Sequence, residues 1–507
     1  MLARALAVVP VVAAIVGGGC TLVLDPDNLP PQTDARPIDA ASIDADPALL
    51  ALDSVEPATV AEGTGAGGGR PALFVLHGTS LVGDATVTAV LLGTPPLPIA
   101  ADDVDYAAAV DGRQAAITVR IPVLEDLGPG GAPTRALRLT VTQGAISRSK
   151  DVSVIGLPEL VLPDPDPILP LYSRITIGGA VHLGGDDPIV LTATGAITID
   201  ARVDGNAVGS TPGPHGCPGG ATQAQGGCSP GGGKAGQNSG DLLVPGGGGG
   251  GGGFGALGTD GSGAGGMGGG VTGRDTLVTI TTPAGVGGNR GNGGGGGGKS
   301  FAGGLGGAGG GGGGVIALIA GGDIVVHAGG ALEANGGTGP AGPNNAAGGG
   351  GGGSGGAILV RAGGTITSSG AWLKAAGGAG ATMGWGSGGG AGGIGRIRID
   401  TTAANVATMA VMPPAFRGPA WDGAASPLVD TPRDATTLVL SGQPGQMFGL
   451  RLNDSALPMA ATPGADGKAR VSGLPLVRGR NQLCAVAEPG MLQPESLACL
   501  DLFYTGR

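Results

Sequence analysis

Aromatic side chains are scarce in this chain: its 507 residues include six Phe, three Trp and three Tyr. Aromatic residues bury the most apolar surface per side chain, so Ala, Val, Leu and Ile must provide most of any core. Basic residues are few as well, with 27 Lys and Arg against 38 Asp and Glu and a formal net charge of -11. Because the sequence contains no cluster of Lys or Arg, it argues against nucleic acid as a partner.

Helical periodicity is also lacking, because no segment has the apolar spacing of an amphipathic helix. Glycine is in excess instead, at 114 residues, which is about three times its average share of a protein. Short apolar runs broken by Gly and Pro are typical of strands. We therefore predict an all-β chain with a repeat or low-complexity architecture in its glycine-rich part.

The longest apolar run lies at the N-terminus. Residues 5–16 are apolar and follow a short basic segment, and they are too short to span a bilayer, which needs about 20 residues. This pattern is typical of an export signal peptide. Residues 17–20, Gly-Gly-Gly-Cys, resemble the lipobox of bacterial lipoproteins, in which small residues precede a diacylated Cys. The resemblance implies a signal peptide at 1–20 and a lipid on Cys20, and Thr21 after it implies sorting to the outer membrane.

The cysteine count also favours lipidation. The chain has five Cys, and without Cys20 the others form two pairs that are local in sequence. We predict that Cys217 pairs with Cys228 and that Cys484 pairs with Cys499, as an oxidising compartment favours. The alternative is an ordinary secretory signal peptide cleaved near the glycines, which leaves Cys20 as an odd thiol.

Composition divides the remaining chain into parts. Residues 21–50 are rich in Asp and Pro, and they are predicted to form a disordered stalk because they cannot bury enough apolar surface to fold. The parts that follow are a β-sandwich at 51–157, a Pro-rich linker at 158–171, a glycine-rich β-repeat region at 172–401 and a second β-sandwich at 406–507.

The first sandwich contains strand candidates at residues 73–76, 85–92, 117–121 and 137–141. Its opening segment, Val-Glu-Pro-Ala at 55–58, and the segment LFVLHGTSL at 73–81 resemble the first strands of IPT/TIG domains. The resemblance covers about a fifth of the chain. It implies an immunoglobulin-like (Ig-like) β-sandwich.

The middle region repeats. Residues 189–197, 316–324 and 358–366 align without gaps, with Ile at the first and ninth positions and Ala-x-Gly at the fifth to seventh. A weaker fourth copy begins at Ile397, and Leu277 is a candidate start of a fifth. A period near 40 residues is the signature of stacked supersecondary units, and we predict a β-solenoid.

Glycine tracts separate the repeats, at 246–253, 293–298, 309–314 and 348–353. A run of glycines becomes ordered only if backbones can pack where side chains are missing, as at the collagen axis. We expect glycine-rich loops, or glycine helices packed beside the solenoid. The alternative is a mostly disordered linker over 205–395.

The last part contains Asp466-Gly467, a hairpin signal, followed by Leu-Pro-Leu at 474–476 and Gly-Arg-Asn at 479–481. Gly467 and these two segments resemble a stretch of bacterial Ig-like domains. The predicted fold is therefore all-β: an Ig-like β-sandwich, a glycine-rich solenoid-like repeat region and a second Ig-like β-sandwich.

Motifs that carry chemistry match weakly. Residues 352–356 fit the G-x-S-x-G pattern of hydrolases, but they lie in a glycine tract, where such a match arises by chance. Ser354 is accordingly expected to tolerate substitution. His215, Cys217 and Cys228 lack a fourth metal ligand and favour a disulfide beside a surface His. No catalytic residue, metal ligand or cofactor is predicted.

We expect a lipid-anchored protein of the outer membrane or cell surface, with a structural or adhesive role and no catalysis. It would hold its solenoid between two Ig-like modules, and its partners would be the membrane through Cys20 and other envelope proteins or polysaccharide. One alternative is an envelope-polysaccharide-binding protein, with Trp372, Trp385 and Trp421 for stacking. The other is a β-helix carbohydrate-active enzyme, which needs clustered acids. The acids between 205 and 395 are scattered, at Asp241, Asp260, Asp275, Asp323 and Glu333.

Overall fold

The structure, a computed structural model, describes residues 49–506 except 65–69, 94, 124–133, 164–170, 183–184, 242–243, 274–276, 278–288, 344–345, 371, 383–386, 402–409, 422–426, 430–435 and 487–497. Cys20, with the predicted signal peptide and almost all of the predicted stalk, lies outside the described residues. The described part is all-β, as predicted. None of its residues belongs to a helix long and apolar enough to cross a membrane.

The N-terminal sandwich consists of two packed sheets, with strand orders β1-β3-β7-β6 and β2-β9-β8-β4-β5. All four strands predicted here are present, as β3, β4, β7 and β8. Alternate side chains of β8, such as Leu137, Leu139 and Val141, are fully buried between the sheets. The strands are β1 (Ala51–Glu56), β2 (Thr59–Ala61), β3 (Ala72–Thr79), β4 (Thr86–Leu91), β5 (Leu97–Pro98), β6 (Val104–Ala108), β7 (Gln114–Val119), β8 (Thr134–Gln143) and β9 (Ile146–Ile155).

A stack of three parallel sheets follows, each with five strands, in the orders β10-β11-β14-β17-β20, β12-β15-β18-β21-β23 and β13-β16-β19-β22-β24. From β11 to β22 the chain visits the three sheets in turn and so winds in successive coils. The strands are β10 (Glu159–Leu162), β11 (Arg174–Ile177), β12 (Val181–His182), β13 (Ile189–Ala193), β14 (Ile197–Ile199), β15 (Arg202–Asp204), β16 (Val315–Ala320), β17 (Ile324–Val326), β18 (Ala331–Glu333), β19 (Ala357–Ala362), β20 (Ile366–Ser368), β21 (Trp372–Lys374), β22 (Arg396–Asp400), β23 (Ala410–Met412) and β24 (Phe416–Arg417).

The repeated isoleucines are paired in register along this stack. Parallel pairing joins Ile189 to Ile316, Ile316 to Ile358 and Ile358 to Ile397. The second column joins the isoleucines at 197, 324 and 366 in the same way. All of these side chains are buried in one core that runs through the coils, because Ile at matching positions of stacked strands forms continuous apolar columns.

Three sequence predictions about this region need correction. The predicted fifth repeat at Leu277 is not a coil, because β13 pairs directly with β16; Leu277 belongs to no strand, and the rest of that copy lies outside the described residues. Glu159–Leu162, assigned to a linker, forms β10 in register with β11. The stack also continues past residue 401, since β23 and β24 pair with β21 and β22.

The glycine tracts form a bundle of extended chains beside the stack. In the tract 246–253, the amide N–H groups of Gly247, Gly250 and Gly253 donate to one neighbouring segment, at residues 237, 234 and 231. The groups at 248 and 251 donate to a second neighbour, and those at 246, 249 and 252 donate to a third. A bond to the same neighbour at every third residue is the pattern of a helix with three residues per turn, as in polyproline II.

Close backbone approach explains why these positions are glycine. A Cβ atom on Gly251 would lie 1.9 Å from the carbonyl oxygen of Ala391, and one on Gly249 would lie 2.0 Å from that of Gly295. Ser354, expected to tolerate substitution, is instead fully buried in the bundle, where its hydroxyl accepts a hydrogen bond from the backbone N–H of Asn292 at 2.7 Å. The N–H groups of the tracts bond to backbone oxygens of neighbouring segments, whereas those of a surface loop bond to water. The bundle is therefore a packed layer.

The C-terminal sandwich repeats the strand order of the first one. Its sheets are β25-β27-β30 and β26-β32-β31-β28-β29, which correspond position by position to the N-terminal sheets, except that β6 has no counterpart among the described strands. In both sandwiches the second strand pairs in parallel with the last one. The strands are β25 (Ala420–Trp421), β26 (Leu428–Val429), β27 (Thr437–Ser441), β28 (Phe448–Leu452), β29 (Ser455–Ala461), β30 (Lys468–Ser472), β31 (Gly479–Val486) and β32 (Ala498–Tyr504).

The two sandwiches also pack directly against each other, whereas the sequence predicted the stack between them. Phe503 of β32 is fully buried in a cluster with Val75, Ala109 and Ala116 of the N-terminal sandwich. The amide of Val110 donates to the carbonyl oxygen of Thr505 at 3.0 Å. The repeat pattern predicted stacking within the middle region, but it carried no information about which faces of the outer parts are apolar.

Candidate functional site

The predicted cysteine pairs are both at disulfide distance, with Cα–Cα separations of 5.9 Å for Cys217–Cys228 and 4.1 Å for Cys484–Cys499. The second pair joins directly opposed residues of β31 and β32. His215 beside the first pair lies 3.0 Å from the backbone oxygen of Asp186 through its Nδ1 atom. Across the described residues, no group of three or more His, Cys, Asp or Glu is placed to hold a metal ion.

The three tryptophans proposed for sugar stacking differ in position. Trp421 is 1% exposed and its indole N–H donates to the carbonyl oxygen of Ala498 at 2.8 Å, so it is a core residue. Trp372 is 55% exposed and lies on the outer face of β21. Trp385 lies outside the described residues.

A cavity of about 330 Å³ lies where the two sandwiches and the stack meet. Thr64 and Arg70 line it from the N-terminal sandwich, and Trp421 and Cys499 line it from the C-terminal one. Small-molecule pockets have volumes of about 300–1,000 Å³, so the cavity is large enough for a small solute.

Small residues of the repeat form the wall that the stack contributes. Ala320, Gly321, Ala362 and Gly363, from the Ala-x-Gly positions, line the cavity at one corner of successive coils. A Cβ atom on Gly321 would lie 2.2 Å from the Thr194 carbonyl oxygen, and one on Gly363 would lie 2.3 Å from that of Gly321. The coils approach too closely here for side chains, and this absence of side chains leaves the space beside the corner open.

Arg361, Arg398 and Asp400 form an ion-pair cluster on the same wall. Parallel pairing of β19 with β22 places Arg361 next to Asp400. Nε and Nη2 of Arg361 each lie 3.0 Å from Asp400 Oδ2, and Nε of Arg398 donates to Oδ1 at 2.7 Å. Each carboxylate oxygen therefore accepts from a different guanidinium, an arrangement that fixes both arginines.

Burial by itself raises the pKa of Asp400, but the charges of Arg398 and Arg361 and their hydrogen bonds outweigh it and hold the pKa below its usual value. The side chains of Arg398 and Asp400 are 1% and 4% exposed. Gly418 closes over the cluster, since a Cβ atom there would lie 1.8 Å from Asp400 Oδ1. The cluster is thus ionised, enclosed and held by close backbone packing.

Arg70 joins the two sandwiches beside this cluster. Its Nη1 donates to the carbonyl oxygen of Cys499 at 3.0 Å, and its Nη2 donates to that of Trp421 at 2.7 Å. A second link joins Arg478 to Asp111 at 3.0 Å. Burial raises the pKa of Asp111, but hydrogen bonds from the Arg113 amide and Arg478, with the charges of both arginines, lower it overall.

The sequence interpretation assigned no role to Arg70, Arg361, Arg398 and Asp400, and it named Trp421 only for sugar stacking. One signal was available: Arg361 and Asp400 are the fourth residues of their repeats when the copies starting at 358 and 397 are aligned, so stacking places them side by side. Arg70 and Trp421 gave no such signal, because only the packing of the two sandwiches brings them to the stack.

Comparison of the chain with models of protein families, with curated proteins and with solved structures gives no match.

Proposed function

We propose that this chain is a lipid-anchored cell-envelope protein that acts as a rigid structural or adhesive scaffold, without catalysis. The lipid would be carried by Cys20, and the partners would be other envelope proteins or polysaccharide at the outer membrane or cell surface. The observation that carries the scaffold role is the packed glycine bundle. Its N–H groups are bonded within the protein, so the tracts form a stiff slab with little side-chain chemistry.

We assign the parallel stack to the β-solenoids and both sandwiches to Ig-like folds. The winding of three sheets around a continuous isoleucine core supports the first assignment. The strand orders support the second, since β1-β3-β7-β6 and β9-β8-β4 correspond to the ABED and GFC sheets of immunoglobulin domains. Modules of both kinds bind through surfaces and loops more often than through deep catalytic clefts.

Polysaccharide binding is the second candidate, favoured by the outer face of β15, β18 and β21. Trp372 is half-exposed there. Arg202 donates through Nη2 to Asp204 at 2.9 Å and lies 3.0 Å from Glu333. Adjacent strands are about 4.8 Å apart, so an aromatic platform and a polar ladder follow one another along the stack, as a sugar chain requires.

The anchor is tested by changing Cys20→Ser. The variant is expected to lose labelling by a palmitate analogue and to leave the membrane fraction, because a diacyl anchor provides two buried chains and one chain binds only marginally. Thr21→Ala, which keeps the acylated sulfur, is the matched control and should stay labelled. Wild-type protein without label, or a Cys20→Ser protein that still pellets with membranes, contradicts the anchor. The released protein, applied to a glycan array, tests polysaccharide as the partner. Saturable signals support polysaccharide binding, and their absence leaves a scaffold that contacts other envelope proteins.

A further inference from the structure

The cavity at the junction has the lining of an anion site. Three guanidinium groups, those of Arg70, Arg361 and Arg398, line it together with one carboxylate, that of Asp400, among the described residues. These groups carry three positive charges against one negative charge. The lining therefore has a net positive charge beside largely buried groups, where charges attract more strongly than in water.

The rest of the lining selects the kind of anion. Ala320, Ala362, Pro419, Ala420 and Ala498 are apolar, and the indole of Trp421 is fixed by its bond to the Ala498 carbonyl. An inorganic oxyanion is polar on every side, so it would place charge against most of these apolar walls. A compact organic molecule with one carboxylate end and an apolar body matches both halves of the lining.

The size of the cavity sets a limit on this molecule. The volume of the cavity, about 330 Å³, lies at the lower end of the range of small-molecule pockets, about 300–1,000 Å³. A monocarboxylate with a body of ring size fits that space, whereas a folded peptide or a polymer does not.

We propose that the junction cavity binds a small organic carboxylate, with Arg361 as the residue that engages the carboxylate and Asp400 as the residue that holds Arg361 in place. The bound molecule would touch both sandwiches and the stack at once and would stabilise their packing. This site is independent of the lipid anchor and of the scaffold role.

Benzoate is the probe, because it joins one planar carboxylate to a ring-sized apolar body. Titration of the full chain by calorimetry is expected to give saturable binding, together with a higher melting temperature that increases with benzoate concentration. Benzamide, with the same shape and no charge, should bind at least about ten-fold more weakly, since charged hydrogen bonds are the stronger ones. Benzamide binding as tight as benzoate, or phosphate binding in place of benzoate, overturns the carboxylate assignment.

The position of the site is tested on the wild-type protein, so that no variant needs to fold. The Arg361 side chain is 32% exposed, and phenylglyoxal should modify it; saturating benzoate is expected to slow that modification at least about five-fold by peptide mass mapping. Arg138, 47% exposed and paired with Asp151 in the N-terminal sandwich, is the internal control and should be modified at an unchanged rate. Equal rates at Arg361 with and without benzoate, or equal protection of both arginines, would falsify the proposed site.

Arg361→Gln gives an independent check. It should weaken benzoate binding at least about ten-fold, while Arg138→Gln should leave it unchanged. Unaltered binding by a folded Arg361→Gln protein contradicts the role of Arg361.

Discussion

The Asp400 side chain is 4% exposed, and its pKa is nevertheless held below the usual value by two arginines. Its two oxygens hold two arginines from neighbouring coils, and Gly418 lies against it without room for a Cβ atom. Breaking one partner of a buried ion pair leaves an uncompensated charge and costs about 3–5 kcal/mol. At the scale of single residues, the junction therefore depends on this carboxylate.

Asp400→Asn should be less stable than wild type at neutral pH by about 3–5 kcal/mol in urea denaturation. The pKa of Asp400 is lowered in the folded protein from its ordinary value of 3.8. The stability that ionised Asp400 contributes is therefore fully present above pH 3.8, and it is lost as the pH falls through the folded-state pKa. The wild-type free energy of unfolding should consequently fall more steeply than that of Asp400→Asn below about pH 4.

The matched control is Asp151→Asn. Asp151 pairs with Arg138, but the two side chains are 43% and 47% exposed, so the change should cost no more than about 1 kcal/mol. If Asp400→Asn and Asp151→Asn cost the same, or if the two Asp400 proteins have the same acid profile, the buried cluster does not stabilise the junction.

At the scale of elements, the glycine tracts are explained by contact distances. Each tract meets neighbouring backbones on several sides, and carbonyl oxygens occupy the places where Cβ atoms would be. The tract 246–253 therefore requires glycine because side chains would not fit. Backbone conformation is not the reason, since none of its glycines lies in the left-handed region. Glycine loses the most entropy on folding, and the network of amide hydrogen bonds offsets that loss.

Gly251→Ala is expected to destabilise the protein by about 1–3 kcal/mol, the usual cost of overpacking a tight interior, because its Cβ would lie 1.9 Å from the Ala391 oxygen. Gly240→Ala is the control from the same region. Nothing lies within 4 Å of a Cβ at Gly240, so its stability should be unchanged or slightly higher. Urea denaturation of the two variants tests this expectation: the midpoint of Gly251→Ala should be lower than that of Gly240→Ala. Equal midpoints argue against tight packing of the tract.

Much of the element-level structure could be predicted from the sequence. The gap-free alignment of the isoleucine repeats predicted both the pairing and its register, because identical spacing on stacked coils places equivalent residues side by side. Leu277 shows the limit of that reasoning: its spacing fitted the period, but it packs with Phe254 and Val315 in a separate small core. A period alone does not distinguish a strand in a coil from an apolar residue that supports the bundle.

The bundle itself was predicted only as one of several outcomes. Glycine carries no side-chain pattern, so nothing in the sequence states which tract lies beside which. Ser354 illustrates this: its place in a glycine run suggested an accessible loop, whereas its side chain is fully buried and its hydroxyl is bonded to the backbone of Asn292 and Gly355.

At the scale of the whole molecule, the buried ion-pair cluster of Arg361, Arg398 and Asp400 lies at a junction of three parts of the fold. Arg70, Arg361 and Trp421 come from three different parts of the fold, so the cavity exists only when those parts are assembled. Sequence reasoning could not predict the cavity, because the residues on the meeting faces are apolar or small and no sequence pattern distinguishes them from other surface residues. The direct contact of Phe503 with the N-terminal sandwich was unpredicted for the same reason.

Amide hydrogen exchange of the glycine tracts tests the central claim, that the middle of the chain is a packed bundle beside a stacked core. Peptides that cover 246–253, 293–298, 309–314 and 348–353 should be protected to a degree similar to peptides from β16 and β19, because their N–H groups are bonded within the protein and exchange only through opening. Exchange of those tracts at the rate of an unstructured glycine peptide, while β16 and β19 remain protected, would contradict the bundle and the rigid scaffold built on it.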